Sequence, residues 1–263
     1  MRTEDRPALI PGIMADEDDP SGAADSAVGE PALQLPSIEI GGFRTYAVPT
    51  GDELLSRLRG PTILVALNAE KVANADERVR RIVNRHVGYP DGIGVVLALR
   101  LHGLRSARVA GSDLWLAIVR RYAAGGRFYL LGSTDAVVSA TVARLRQEFP
   151  GIDVAGHRHG YLGPGDLAQV RAEIVAARPD VVFVAAGSPR QELWMENLFA
   201  AWPALYMGLG GSFDIYAGRR RRAPRWMRRL GIEWAFRMVV DPRRVDRLLR
   251  CVRFAWLIVR GRL

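Results

Sequence analysis

The sequence predicts a doubly wound α/β domain, with a mostly parallel, Rossmann-like sheet and an arginine-rich helical appendage at the C-terminus. Across residues 37–217, short apolar runs alternate with helical patterns, and turn residues separate them. From residue 218 onward, arginines alternate with large apolar side chains instead. Residues 1–36 are rich in Pro, Ala, Gly, Asp and Glu and are predicted to be a disordered acidic leader.

Each predicted element rests on its own pattern of apolar residues. Short β-rich runs predict strands, as expected for a parallel sheet covered by helices. These runs are 62–67, 127–131, 153–155, 181–185 and 204–207. Apolar positions at helical spacing predict helices over 70–87, 114–124, 135–149, 164–177 and 191–199.

Composition excludes several classes of protein. Of the 263 residues, 49% are hydrophobic and 25% charged, which is typical of a globular chain rather than a disordered one. The single cysteine, Cys251, leaves no disulfide within the chain and fits a reducing cytoplasm. No apolar run reaches the roughly 18 residues of a membrane span. An acidic start argues against a secretion signal.

The net charge of +9 is concentrated at one end of the chain. Residues 219–263 hold 15 arginines and three acidic residues, so the rest of the chain has no excess positive charge. Arginines mixed with Trp and Phe suit anionic lipid or a diphosphate. Nucleic acid and packing against the core or another subunit remain alternatives, although the density of large aliphatics favours lipid over nucleic acid.

Loops that directly follow strands are the expected ligand sites, because the carboxyl ends of parallel strands meet at one edge of the sheet. Residues 187–192 open a helix whose free N–H groups suit a phosphate, although Ser188 as an ordinary N-cap explains the same pattern. Residues 208–214 and the turn at Gly132 lack side-chain bulk, which allows a ligand to approach the backbone.

Two further features concern the reaction chemistry. Asp91 lies in a Pro-Asp-Gly turn within apolar sequence, where desolvation can keep a carboxylate basic, although Asp-Gly is also a common turn. The four histidines are spread along the chain, and residues 37–263 contain no Asp-x-Asp pair. Neither the dinucleotide nor the P-loop glycine spacing occurs. Chemistry without a metal or cofactor is therefore expected.

Five motifs in this order resemble the WecG/TagA/CpsF family, glycosyltransferase family 26, over residues 37–263. The motifs are Asn68-Ala69-Glu70-Lys71, Pro90-Asp91-Gly92-Ile93-Gly94-Val95, Arg108-Val109-Ala110-Gly111-Ser112-Asp113-Leu114, Gly187-Ser188-Pro189-Arg190-Gln191-Glu192, and Gly208 to Asp214 followed by Gly218 and Arg222-Ala223-Pro224. Two departures are the acidic leader and Ala66, where some members carry a hydroxyl residue.

The resemblance implies an inverting, metal-independent transfer from a UDP-sugar to a polyprenyl-diphosphate-linked saccharide at the inner face of the plasma membrane. It implies that Asp91 is the general base. It also implies further site residues around donor and acceptor, which are Asn68, Arg108, Gln191, Gly132, Gly187, Ser188, Gly210, Gly211 and Asp214. It implies that three arginines of the appendage meet a diphosphate, which are Arg237, Arg244 and Arg247.

The donor expected first is UDP-N-acetylmannosaminuronic acid, from likeness to the WecG branch, followed by UDP-N-acetylmannosamine and UDP-glucose. Some relatives self-associate, which makes a homo-oligomer a further hypothesis. Two other functions stay open from the sequence. One is a non-enzymatic adaptor that uses the basic tail on a membrane or nucleic acid, and the other is a nucleotide-sugar hydrolase in which Asp91 activates water.

Overall fold

The structure is a computed structural model that describes residues 33–74, 76–224 and 227. Its strands and helices alternate along most of this length. The strands are β1 (Ser37–Ile40), β2 (Phe43–Tyr46), β3 (Thr62–Leu67), β4 (Val87–Pro90), β5 (Arg127–Gly132), β6 (Asp153–Arg158), β7 (Val181–Ala185) and β8 (Leu205–Gly208). The helices are α1 (Gly51–Arg57), α2 (Ala69–Asn74), α3 (Glu77–Arg85), α4 (Ile93–Leu101), α5 (Gly111–Tyr122), α6 (Asp135–Glu148), α7 (Asp166–Ala177), α8 (Arg190–Ala201) and α9 (Ser212–Tyr216).

The main sheet within the described residues has six strands in the order β4-β3-β8-β7-β5-β6, and all of its pairs are parallel. The central strand β7 is buried along its whole length. Such strands have no solvent-facing side, which is why their sequences are continuous apolar runs. The predicted parallel sheet is confirmed.

Side chains alternate between two cores on opposite faces of this sheet. On β7, Phe183 belongs to the core under α1, α5, α6 and α9, whereas Val182 and Val184 belong to the core under α2, α3, α4, α7 and α8. Burial on both faces is the arrangement of a doubly wound fold. The predicted fold class is therefore confirmed for the domain, and residues 228–263 of the appendage lie outside the described residues.

The helix predicted over residues 70–87 is wrong in two respects. It is divided into α2 and α3, and Asp76 caps α3 by accepting a hydrogen bond from the Val79 N–H at 2.9 Å. Val87 belongs to the edge strand β4, which pairs with β3. Apolar residues at helical spacing continue into Val87, so the periodicity alone concealed the change from helix to strand.

A short antiparallel hairpin, β1 and β2, precedes the main sheet. The side chain of Asn84, on α3, connects the hairpin to this helix through two hydrogen bonds. Asn84 Oδ1 accepts from the Arg44 N–H at 2.7 Å, and Asn84 Nδ2 donates to the Gly42 carbonyl at 2.9 Å. Leu33 is buried and bridges to Leu58, so the packed chain includes residues before Ser37. The acidic leader remains a prediction for residues 1–32, which lie outside the described residues.

His86 makes stability depend on pH. Its Nδ1 accepts from the Ile63 N–H at 3.4 Å, and its ring meets Phe199 edge-on at 4.7 Å. Burial, and then the neighbouring Arg85 charge, lower the pKa of His86 from 6.5 to about 4. The folded state therefore binds fewer protons than the unfolded chain between these values, so the free energy of unfolding should fall by up to about 3 kcal/mol as pH drops from 6.5 to 4.

Urea unfolding between pH 4.5 and 7.5 measures this dependence. A His86→Gln variant has no titrating group at the position, so its unfolding free energy should change less steeply over the same range. Parallel pH profiles for the two proteins would contradict the assignment.

Candidate active site

The loops that follow the parallel strands meet at one edge of the sheet. Asp91 and Gly92 follow β4, and their backbone N–H groups both donate to the Leu67 carbonyl at the end of β3, at 3.0 Å each. A Cβ on Gly92 would lie 2.9 Å from the Cα and Cβ of Asn68, which follows β3. Only glycine allows this approach, so the structure brings the predicted residues Asn68 and Asp91 together.

The Asp91 carboxylate lies at the N-terminal end of α5. Its Oδ1 accepts from the Gly111 N–H at 3.0 Å, and the Arg108 Nε donates to the Asp91 carbonyl at 2.7 Å. The positive end of a twelve-residue helix favours a negative charge at this position. The residue is half-buried, so these contacts hold its position while part of it remains accessible.

Tyr89 lies beneath this carboxylate and was missed from the sequence. It is fully buried, and its hydroxyl has no hydrogen-bond partner among the residues that the structure describes. Burial, and then the negative charges of Asp91 and Glu192, raise the pKa of Tyr89 well above its usual value. A Cβ on Gly111 would lie 2.9 Å from the hydroxyl, so glycine at the start of α5 makes room for it. An aromatic residue two positions before Asp91 was the available signal.

Asn68 caps the helix that follows β3. Its Oδ1 accepts from the Lys71 N–H at 2.9 Å, which satisfies one of the free donors at the start of α2. Asn68 therefore acts as the N-cap of α2. Its predicted contact with donor or acceptor remains a prediction.

Lys71, Glu192 and Gln191 form a buried polar cluster between the loops after β3, β7 and β8. Lys71 Nζ lies 2.5 Å from Glu192 Oε1, with side-chain exposures of 8% and 0%. Gln191 Nε2 donates to the same Glu192 oxygen at 3.0 Å, and Gln191 Oε1 accepts from the Gly210 N–H at 3.0 Å. Although the sequence motifs contain Lys71 and Glu192, their pairing depends on chain segments about 120 residues apart.

The start of α8 differs from the predicted one. The peptide bond between Ser188 and Pro189 is cis, α8 begins at Arg190, and Pro189 is its N-cap. The interpretation of Ser188 as N-cap is therefore wrong. Gly187 has φ +76°, and its carbonyl accepts from the Gln191 N–H at 2.8 Å, so the predicted loop lies directly beside the buried cluster.

A second group of predicted residues meets after β5. Ser133 Oγ donates to Asp214 Oδ2 at 3.2 Å, and the Ser133 N–H donates to the Ala185 carbonyl at 2.9 Å. Gly132 has φ +135°, and a Cβ there would lie 2.2 Å from the Ala185 oxygen. The Gly132 turn and Asp214 therefore form one side of the site, next to the end of β7.

Tyr161 also follows a strand at this edge and was missed from the sequence. Its side chain is 71% exposed, in the loop after β6. The loop is joined to the Gly132 turn, because the Gly160 N–H donates to the Ser133 carbonyl at 2.8 Å. An exposed aromatic ring beside two glycines provides a flat surface for a planar ligand.

The chain returns to the start of α5 as it enters the basic tail. Arg222 Nη2 lies 2.8 Å from Asp113 Oδ1 and 2.5 Å from Ser112 Oγ, both in the first turn of α5. This turn also provides the Gly111 N–H that binds Asp91. The predicted tail residues Arg237, Arg244 and Arg247 lie outside the described residues.

Neither a metal cluster nor a spanning helix occurs in the described part of the chain. Residues 33–74 and 76–224 contain no group of three or more His, Cys, Asp or Glu side chains arranged to hold a metal ion. Over the same residues, no helix is both long and apolar enough to cross a bilayer. Transfer without a metal remains a prediction, as does the absence of a cofactor.

A model of the glycosyl transferase WecG/TagA/CpsF family matches residues 39–263, which is most of the chain. The matched region contains all the residues predicted for the site, including Asp91, Gln191 and Asp214. It also contains the whole six-stranded sheet and the loops at its carboxyl edge. The chain therefore belongs to the WecG/TagA/CpsF family of glycosyl transferases.

Proposed function

We propose that this protein transfers a sugar from a UDP-sugar to a polyprenyl-diphosphate-linked saccharide, with inversion at the anomeric carbon and with Asp91 as the general base. The observation that carries the proposal is the position of the Asp91 carboxylate. It lies at the carboxyl edge of the sheet, fixed by the Gly111 N–H, in a chain of a glycosyl transferase family.

The proposed step is a single displacement. The acceptor hydroxyl oxygen forms a bond to the anomeric carbon as the bond from that carbon to the diphosphate oxygen breaks. Asp91 takes the hydroxyl proton, and UDP leaves with the bonding electrons. A positioned carboxylate accelerates such a step because it removes the proton as the oxygen becomes positively charged.

The opposite side of the site suits the nucleotide. Asp214 provides a carboxylate for the N–H or hydroxyl groups of uridine, and the exposed Tyr161 ring provides a surface on which uracil can stack. Gly210, Gly211, Gly187 and Ser188 present backbone near the start of α8, which suits the diphosphate. Tail arginines Arg237, Arg244 and Arg247 are proposed to neutralise the charge of the leaving UDP.

Helix α4 supports a site at the cytoplasmic face of the plasma membrane. Its solvent-facing side carries Ile93, Leu97 and Leu101, with exposures of 41%, 49% and 69%. We call these three residues the α4 stripe. Its first member lies two residues after Asp91, and Arg100 is also exposed on this helix. Helix α4 is apolar on its outward face as well as on the face that packs against the core. Such a helix, with an arginine beside the outward face, suits an anionic bilayer.

Vesicle binding tests the α4 stripe. The double change Leu97→Glu and Leu101→Glu should weaken cosedimentation with phosphatidylglycerol vesicles roughly tenfold or more, because apolar contact is lost and like charges repel. Val175→Glu, at a similarly exposed position on α7, is the matched control. Unchanged vesicle binding would contradict a bilayer contact. Conversion of an oligomer to a monomer by the double change would instead assign the stripe to a second copy of the chain.

Transfer itself is tested with purified protein, a panel of UDP-sugars and a short-chain polyprenyl-diphosphate N-acetylglucosamine acceptor, with and without EDTA. The expected result is an acceptor whose mass rises by one sugar, insensitive to EDTA, with UDP-N-acetylmannosaminuronic acid expected first among the donors. Free sugar without lipid product would indicate a hydrolase. Salt-dependent DNA binding without affinity for UDP would indicate an adaptor.

A further inference from the structure

The buried ion pair Lys71–Glu192 has no part in the chemistry proposed above. Its side-chain exposures are only 8% and 0%, and Glu192 Oε1 accepts from both Lys71 Nζ and Gln191 Nε2. Removal of two charges from water costs about as much as their attraction returns, so a buried pair is weak evidence for stability. Its contact with Gln191, at the edge of the sheet where ligands bind, points to a positioning role.

We propose that Lys71 and Glu192 are positioning residues that fix the orientation of the Gln191 amide, so that Gln191 presents an N–H donor to the diphosphate of the nucleotide. This inference rests on the proposed function for the identity of the ligand. It specifies that Nε2 of Gln191, rather than Oε1, faces the substrate.

The ionised state of Glu192 determines one end of the amide. A carboxylate can only accept hydrogen bonds, so the Gln191 group 3.0 Å from it must be Nε2. Burial would raise the pKa of Glu192, but the Lys71 charge and hydrogen bonds from Lys71, Gln191 and Ser188 together hold it below its usual value. Lys71 thus keeps Glu192 an acceptor.

The backbone determines the other end. The Gly210 N–H can only donate, and it lies 3.0 Å from Gln191 Oε1. Gly208 leaves the space in which the amide lies, because a Cβ there would be 2.6 Å from Gln191 Nε2. Both partners specify the same orientation, and the second N–H of Nε2 has no protein partner within the described residues. A phosphate oxygen accepts such a donor.

The test compares the changes Lys71→Met and Glu192→Gln, alone and together. Lys71→Met leaves a buried carboxylate without its counter-charge and should lower the melting temperature. The double variant has no buried charge and should recover much of this loss. However, a glutamine at 192 can donate or accept, so one of the two constraints on Gln191 is gone.

UDP binding by calorimetry is the decisive measurement. In the double variant the Kd for UDP should rise roughly tenfold despite the recovered stability, as for loss of one hydrogen bond to a charged group. Arg85→Met, which removes an exposed pair with Glu196 on the same helix α8, is the matched control and should leave the Kd unchanged. A recovered melting temperature with wild-type UDP affinity would overturn the proposal, since the pair would then be structural only.

Side-chain amide NMR separates failure of the inference from failure of the proposed function. The Gln191 Nε2 cross-peak, assigned by its loss in Gln191→Ala, should shift in the double variant but not in Arg85→Met. A shift with no UDP binding by the wild-type protein would refute a UDP ligand and retain the orientation of the amide. An unshifted cross-peak with wild-type transfer activity would refute the positioning role.

Discussion

Replacement of Asp91 by Asn is expected to reduce sugar transfer by roughly 10²–10⁴-fold, the usual contribution of a positioned general base. The variant should fold normally, because the asparagine oxygen can still accept the Gly111 N–H that lies 3.0 Å from Asp91 Oδ1. The asparagine amide cannot remove the proton from the hydroxyl of the acceptor saccharide, so kcat should fall. The Kd for UDP should stay close to wild type. Initial rates and calorimetry on the same preparation measure both.

The matched control is Asp52→Asn, which changes an exposed carboxylate in the first turn of α1. Its transfer rate should equal that of the wild-type protein. An Asp91→Asn rate within about tenfold of wild type would rule out proton abstraction by Asp91, because that loss is smaller than a general base contributes.

Replacement of Gly132 by Ala is expected to destabilise the fold by more than about 3 kcal/mol, since it combines steric overlap with a backbone conformation that alanine rarely adopts. The new Cβ would lie 2.2 Å from the oxygen and 2.5 Å from the carbonyl carbon of Ala185 on the neighbouring strand. No rotamer relieves this contact, because both partners are backbone. Chemical denaturation measures the change in unfolding free energy.

Two other glycines separate the cost of steric overlap from the cost of the backbone conformation. Gly103 has φ +76° and nothing within 4 Å of its Cβ position, so Gly103→Ala reports conformational strain alone, at about 1 kcal/mol. Gly125 also has open space and no positive φ, so Gly125→Ala should be close to neutral. If Gly132→Ala cost no more than Gly103→Ala, the close approach of β5 and β7 would be disproved.

The fold was predictable because the interior strands are short apolar runs between turn residues and alternate with helical patterns. Strands such as β7 are buried on both faces, so their sequences are uninterrupted apolar runs between turns. The edge strand β4 has four residues, one of which is glycine and one proline, and only His86 separates it from the amphipathic helix α3. Its strand character comes from pairing with β3, which a single sequence does not display.

The site was predictable where it depends on loop position and was missed where it depends on packing. Asp91, Gln191 and Asp214 follow strands or lie in glycine loops, and the rule of the carboxyl edge selects them. Tyr89 lies inside a strand, where an aromatic residue is normally core. Lys71 acquires its partner only when α2 meets α8, so its burial could not be predicted from neighbouring residues.

The first turn of α5 has a practical consequence for experiments on this protein. The Gly111 N–H in this turn binds Asp91 Oδ1, and Arg222 reaches the same turn before the basic segment begins. A shortened chain that ends at residue 224 would keep all of these contacts. Comparison of a protein without the last 39 residues with the full chain therefore separates the positioning of Asp91 from the charge that the tail arginines are proposed to supply.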